Sequence, residues 1–146
     1  MTTAYRTLSD IHPCLTYEDA PAAIEWLCTA FGFTRQFAAL GADGSIMHAE
    51  LSLGTGVVMV SSPKQDDGRV GPRQSPGSPA MLSVYVPDPD AHHDQAVAAG
   101  ARVIRPLRVE EYGARGYMVE DPEGHQWYFG DYRPGAYWEH APTALT

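Results

Sequence analysis

The chain predicts an α+β fold: two tandem β-α-β-β-β units forming one curved mixed sheet around a cavity. Three observations carry this expectation. A helix signature occurs twice with the same punctuation, Asp19 then Pro21 closed by Gly32, and Asp88 then Pro89 closed by Gly100. Strand-like segments bounded by glycine turns follow each helix. The two halves also keep a constant offset: the helix-end glycines stand 68 residues apart, the capping aspartates 69, and the hairpin glycines Gly56 and Gly124 68. Internal similarity at a fixed spacing marks a repeated supersecondary unit.

The elements follow in order. Segment 11–17 reads as a strand. Asp19 then offers its carboxylate to the free N–H groups of a first helical turn, where Pro21 loses nothing by lacking a donor. Ile24, Leu27, Cys28 and Phe31 recur at i, i+3, i+4 and i+7, one apolar stripe of a helix. Gly32 suits the left-handed residue that closes it. Strands are predicted over 33–40, 46–53 and 57–61, with glycine turns at 41–44 and 54–56. Segment 63–79 is rich in Pro, Gly, Ser and charge without a period, and reads as a mobile linker or flap. The second unit repeats the order: a strand over 81–86, a helix from Asp88 to Gly100, and strands over 102–109, 116–120 and 125–130. One domain is expected over 1–146, with units at 10–62 and 80–133 and a C-terminal tail at 134–146.

Composition narrows the function. The chain has 146 residues, 44% of them apolar and 19% charged, as in an ordinary folded protein, which excludes disorder throughout. No run approaches the roughly 20 apolar residues needed to cross a bilayer. Residues 1–10 are mixed and polar rather than a basic, apolar leader, so a cytoplasmic location is expected. Cys14 and Cys28 are too few for a disulfide scaffold and read as reduced thiols. The net charge is −8. Arg102, Arg105 and Arg108 come nearest to a basic stripe, but Glu110, Glu111 and Glu120 lie beside them, so neither nucleic acid nor a membrane is an expected partner.

One helix covers one face of a four-stranded sheet, and the other face must find cover or become a concavity. Strand alternation assigns the faces. Met47, Ala49, Leu51 and Leu53 are expected under the helix, against Ile46, His48, Glu50 and Ser52. Ile11, Leu15 and Tyr17 oppose His12, Cys14 and Thr16. Leu82, Val84 and Val86 oppose Met81, Ser83 and Tyr85. The second set of each pair is the expected lining of a ligand cavity.

Asp121-Pro122-Glu123-Gly124-His125 followed by Gln126-Trp127-Tyr128-Phe129-Gly130 resembles the D-P-x-G turn and last strand of the vicinal oxygen chelate superfamily. That group covers glyoxalase I, fosfomycin-resistance thiol transferases, extradiol dioxygenases and bleomycin-resistance proteins. Thr16-Tyr17-Glu18-Asp19-Ala20, the helix through Ala30-Phe31-Gly32-Phe33, and Met47-His48-Ala49-Glu50-Leu51 are similar to its first strand, helix and third strand. The resemblance spans about residues 10–133 and implies a divalent ion held by equivalent strands of the two units. His12, seven residues before Asp19, matches the first ligand place. Its repeat mate is Met81, the place four past Gly124 is Tyr128 with Gln126 two before it, and the first-unit counterpart is Met59 or Val60. A thioether is a poor ligand for a hard ion, and one histidine does not hold it.

The resemblance therefore implies a small-molecule binder of the bleomycin-resistance type without a cofactor. Its cavity would be lined by His12, Cys14, His48, Glu50, Met59, Met81, Ser83, Tyr85, Gln126 and Tyr128. Methionine and tyrosine suit an aromatic ligand, an antibiotic included. The acidic balance favours a cationic one, and relatives are usually homodimers. The alternative is a metal-dependent lyase, isomerase or dioxygenase holding Fe, Ni, Zn or Mn on His12, His48 and Glu50, which requires their strands to be neighbours. A third reading is an accessory domain with a vestigial pocket. Plainer readings apply elsewhere. His48 and Glu50 also fit a hydrogen-bonded pair in a wet cavity, and Cys14 a small buried hydrophobe. His92 and His93 are expected in solvent, and His125 in a structural role. Trp127 and Phe129 should lie beneath a helix, and Trp26 at a subunit contact. Tyr112, Tyr117, Tyr132, Tyr137 and Trp138 would rim a pocket or dock the tail.

Overall fold

The computed structural model describes residues 9–135. The first unit comprises strand β1 (Cys14–Thr16), helix α1 (Ala20–Phe31), and strands β2 (Thr34–Leu40), β3 (Ile46–Leu53) and β4 (Gly56–Ser61). The second repeats it with β5 (Met81–Tyr85), α2 (Pro89–Ala98), β6 (Arg102–Val109), β7 (Arg115–Glu120) and β8 (Gln126–Gly130). Each unit carries a four-stranded mixed sheet, in the orders β1-β4-β3-β2 and β5-β8-β7-β6. The first strand of each unit pairs parallel to the last, and the other pairs are antiparallel. The tandem α+β architecture read from the two helix signatures is the one observed, with the strands in two four-stranded sheets rather than one curved sheet. Among the described residues no ladder joins a strand of one unit to a strand of the other.

The caps work as their residue types dictate. The Asp19 side chain accepts from the Ala22 N–H at 3.2 Å, and Asp88 does the same for Ala91 at 3.1 Å. Gly32 adopts φ 85°, open to a residue without Cβ, and ends α1.

The two units are joined through their helix-bearing sides. Phe31 of α1 meets Trp127 and Phe129 of β8 at ring-centroid distances of 5.3 and 4.7 Å. Trp127, Phe129, Tyr17 and Tyr117 are fully buried, and each such burial stabilises the fold by about 1.5–3 kcal/mol. Asp121 supplies the polar fastening. Its carboxylate accepts from the Tyr17 hydroxyl at 2.7 Å, the Trp127 indole at 3.1 Å and the backbone N–H groups of Glu123 and His125 at 3.1 Å. Glu123 reaches across to the backbone N–H groups of Glu18 and Asp19 at 2.6 and 2.9 Å. The D-P-E-G turn thus clasps the first turn of the other unit's helix. His125 is structural as expected, its Nε2 donating to the Thr16 carbonyl at 2.8 Å.

Several local expectations are corrected. Ile46 is 4% exposed and Met47 56%, the reverse of the alternation read from sequence. The β2–β3 ladder slips between Ala39 and Leu40, and past that irregularity the parity inverts. Cys14 is exposed rather than buried, because it lies on the uncovered face of an edge strand. Trp26 does not wait for another subunit: its indole donates to the Ala99 carbonyl at 2.9 Å, binding α1 to the end of α2. His92 is not in solvent but wedged between the units, and His93 packs edge-on against Tyr117. Apart from these corrections, segment 63–79 connects the units and holds two short 3-10 turns, a Lys64–Arg69 bridge and a hydrogen bond from Arg73 to the Pro122 carbonyl. Tyr137 and Trp138 lie outside the described residues.

Candidate functional site

With the helices sandwiched at the joint, the open faces of both sheets carry the chemistry. On the first, β4 pairs Met59 with Cys14 on one side and Glu50 on the other, and Glu50 in turn pairs with Phe37. One row across the sheet is therefore thiol, thioether, carboxylate and phenyl. His48 stands two residues along β3, its Nε2 2.8 Å from the Glu50 carboxylate and its ring 6.0 Å from that of Phe37. His12 precedes β1. Because β4 lies between β1 and β3, His12 is not on a neighbouring strand to His48 and Glu50, and the requirement for a three-residue ligand set fails.

The open face of the second sheet has three rows, each ending on an arginine of β6. Met81, Gln126, Glu120 and Arg102 form the first; Ser83, Tyr128, Met118 and Arg105 the second; Tyr85, Gly130, Gly116 and Arg108 the third. The third row has two glycines in its middle, and the Tyr128 ring lies down into the gap they leave. A Cβ on Gly116 would overlap the Tyr128 hydroxyl and come within 2.8 Å of the Phe129 carbonyl, and one on Gly130 would come within 2.7 Å of the Tyr128 ring. Tyr128 is 6% exposed, and its hydroxyl has no hydrogen-bond partner among the described residues. Burial, then the nearby Tyr112 phenol and Glu110 carboxylate, push its pKa well up, while Arg105 pulls it down. Arg105 also lies over the ring at 5.7 Å and shares the buried Glu110 carboxylate with Arg108.

Between the units runs a groove of about 430 Å³. The β3–β4 turn with Leu53, Val57 and Val58 forms one wall, the edge strand β5 the other, and Ile11, Pro13 and Phe33 complete the apolar lining. Of the ten residues read as cavity lining, Met81, Ser83 and Tyr85 line this groove. Gln126 and Tyr128 share their open face, whereas His12, Cys14, His48, Glu50 and Met59 belong to the other unit's sheet or its approach. Arg133, Val57 and Val58 escaped sequence reasoning, because only the docking of the two units puts them on one wall or rim. Gly116 and Gly130 did carry a signal: glycine inside a strand marks a close approach of another group.

The donor set does not fit a divalent ion of the kind that vicinal-oxygen chemistry uses. Met59, Met81, Tyr128 and Gln126 offer thioether, phenol and amide at the corresponding places. Among the described residues no three His, Cys, Asp or Glu side chains converge so as to hold a metal. No helix among them is long and apolar enough to cross a membrane.

A model of the Glyoxalase/Bleomycin resistance protein/Dioxygenase superfamily matches residues 11–129. The chain belongs to that superfamily. Uncharacterized proteins of Mycobacterium bovis and Mycobacterium tuberculosis are 32% identical over 123 residues, covering 82% of this chain and 81% and 72% of theirs. Among solved structures, TioX from Micromonospora sp. ML1 is 34% identical with a TM-score of 0.67, over 84% of this chain and 94% of that one. The fosfomycin resistance protein FosX from Mesorhizobium loti superposes with a TM-score of 0.60 at 15% identity, over 87% of this chain and 94% of its own, a likeness of fold alone.

Proposed function

We propose that this chain is a small-molecule binding protein of the superfamily, working as a homodimer and without a bound metal ion. The observation that carries the proposal is the groove between the units. Its volume of about 430 Å³ is that of a drug-sized ligand site, and its lining is apolar with a few polar groups at β5 and the rim. An aromatic or amphipathic organic molecule, an antibiotic among them, fits such a lining. Sequestration of that kind needs no bond to be made or broken. The net charge of −8 adds weak steering of cationic molecules. Phe37, Met81 and Tyr85 stand exposed on the open faces, apolar surface that a second copy would cover.

Thermal-shift screening against aromatic antibiotics and amphipaths, with elemental analysis of protein purified without chelator, tests the reading. A saturating ligand is expected to raise the unfolding midpoint, since binding at 100 times Kd adds about 2.7 kcal/mol. A stoichiometric ion with no shift from any compound in a broad panel would overturn it.

A second reading rests on His48 and Glu50. The carboxylate orients the imidazole on an accessible face, the arrangement of a general base. That makes a lyase or isomerase that moves a proton without a metal ion the alternative. Its sign would be a turnover that His48→Ala abolishes while the variant keeps its fold.

A further inference from the structure

Among the described residues, the groove between the units has one charged lining residue. The Arg133 guanidinium stands over the Tyr85 ring, 3.9 Å from its centre, and both line the groove. No carboxylate is among the described lining residues. Arg69, Arg102, Arg105, Arg108 and Arg115 each face an aspartate or glutamate. Among the described residues Arg35, Arg73 and Arg133 take part in no ion pair, and of these three Arg133 alone lines the groove. A guanidinium left without a counter-charge at the mouth of an apolar groove is a site for an anion, because its planar fork matches a carboxylate in paired, charge-assisted hydrogen bonds. Tyr85, held under that guanidinium, keeps it at the rim and offers ring surface beside it.

We propose that the groove binds an amphipathic aromatic anion, its rings against Val57, Val58, Leu82 and Val84 and its carboxylate on Arg133. This inference rests on the small-molecule reading above and names the ligand class for the same groove. It also reverses the sign expected from the whole-chain charge. The net −8 is spread over the entire surface and screened beyond about 8 Å at physiological salt, whereas Arg133 acts at contact distance.

Three probes with one ring system isolate the charge: 1-naphthoate, 1-naphthamide and 1-naphthylmethylammonium, titrated calorimetrically into the full chain. Naphthoate is expected to bind at least about ten-fold more tightly than the ammonium compound at low salt, with a preference that shrinks as salt rises. In Arg133→Gln the three affinities are expected to converge. Ser83→Trp, which fills the groove from an exposed strand position, is expected to abolish binding of all three. Circular dichroism of both variants verifies that they fold. The proposal falls if the ammonium compound binds as tightly as naphthoate, if the preference survives Arg133→Gln, or if naphthoate binding survives Ser83→Trp. Naphthamide binding that Ser83→Trp removes, without any anion preference, leaves the small-molecule reading standing and overturns the ligand class alone. Failure of all three probes to bind at millimolar concentration counts against both.

Discussion

His92 has both ring nitrogens engaged: Nε2 lies 2.9 Å from the Phe31 carbonyl and Nδ1 2.7 Å from the Tyr117 hydroxyl. A carbonyl only accepts, so Nε2 carries the proton and Nδ1 accepts from Tyr117. Burial, the larger effect, lowers the pKa of His92 below its ordinary 6.5, and the bond to the Phe31 carbonyl opposes it. Below about pH 6.5 the unfolded chain takes up a proton that the folded chain resists, so stability is full above that pH and falls as pH drops toward the folded value. His92→Gln is expected to flatten the urea-unfolding free energy against pH between about 7 and 5 relative to the parent. An unchanged slope would assign the acid sensitivity to other groups. Adjacent helix positions are expected to point apart, yet His92 and His93 both reach Tyr117, His92 at its hydroxyl and His93 edge-on to its ring. What spacing along α2 could not say is that the direction His92 takes is filled by the other unit's α1.

The strands show how small irregularities place side chains. Residues three apart in an uninterrupted strand lie on opposite faces. Arg102, Arg105 and Arg108 nonetheless pair with Glu120, Met118 and Gly116, all on one face of β7, because the β6–β7 ladder slips between Val103 and Arg105 and again between Arg105 and Arg108. The same effect inverts Ile46 and Met47 in β3. Alternation read Ala49, Leu51, Leu82 and Val84 correctly, since the slip opposite Leu51 puts its extra residue, Gln36, on β2 rather than β3 and β5 pairs without a slip. At Gly116 the strand must leave room for Tyr128. Gly116→Ala is expected to expel the ring or shift the backbone at Phe129, at a cost of about 1–3 kcal/mol in chemical denaturation. An unaltered midpoint would show that the cradle is slack.

Across the whole molecule, the units meet through their helices and clasp each other through Glu123 and Asp121, which leaves the sheet faces opposite the helices open. Exposed Phe37, Leu40 and Met47 on the first unit and Met81 and Tyr85 on the second leave apolar surface uncovered in the single chain. Light scattering after size exclusion is expected to give twice the mass of the 15.9 kDa chain, and Phe37→Glu to shift it toward the monomer. A monodisperse monomer in the parent chain would remove the second copy from the proposed function.

Element order, both helix caps, the glycine turns and the superfamily were legible in the sequence, because each depends on residues close together in the chain: a carboxylate three residues from an N–H, a glycine at a left-handed turn, an apolar residue at every second or third place. The tertiary structure alone decided that β4 separates His12 from His48 and Glu50, that His92 and Trp26 tie the units together, and that Arg133 and Tyr85 share a groove with Val57 and Val58. Those placements depend on ladder slips and on the docking of surfaces from distant segments, which spacing along the chain does not encode.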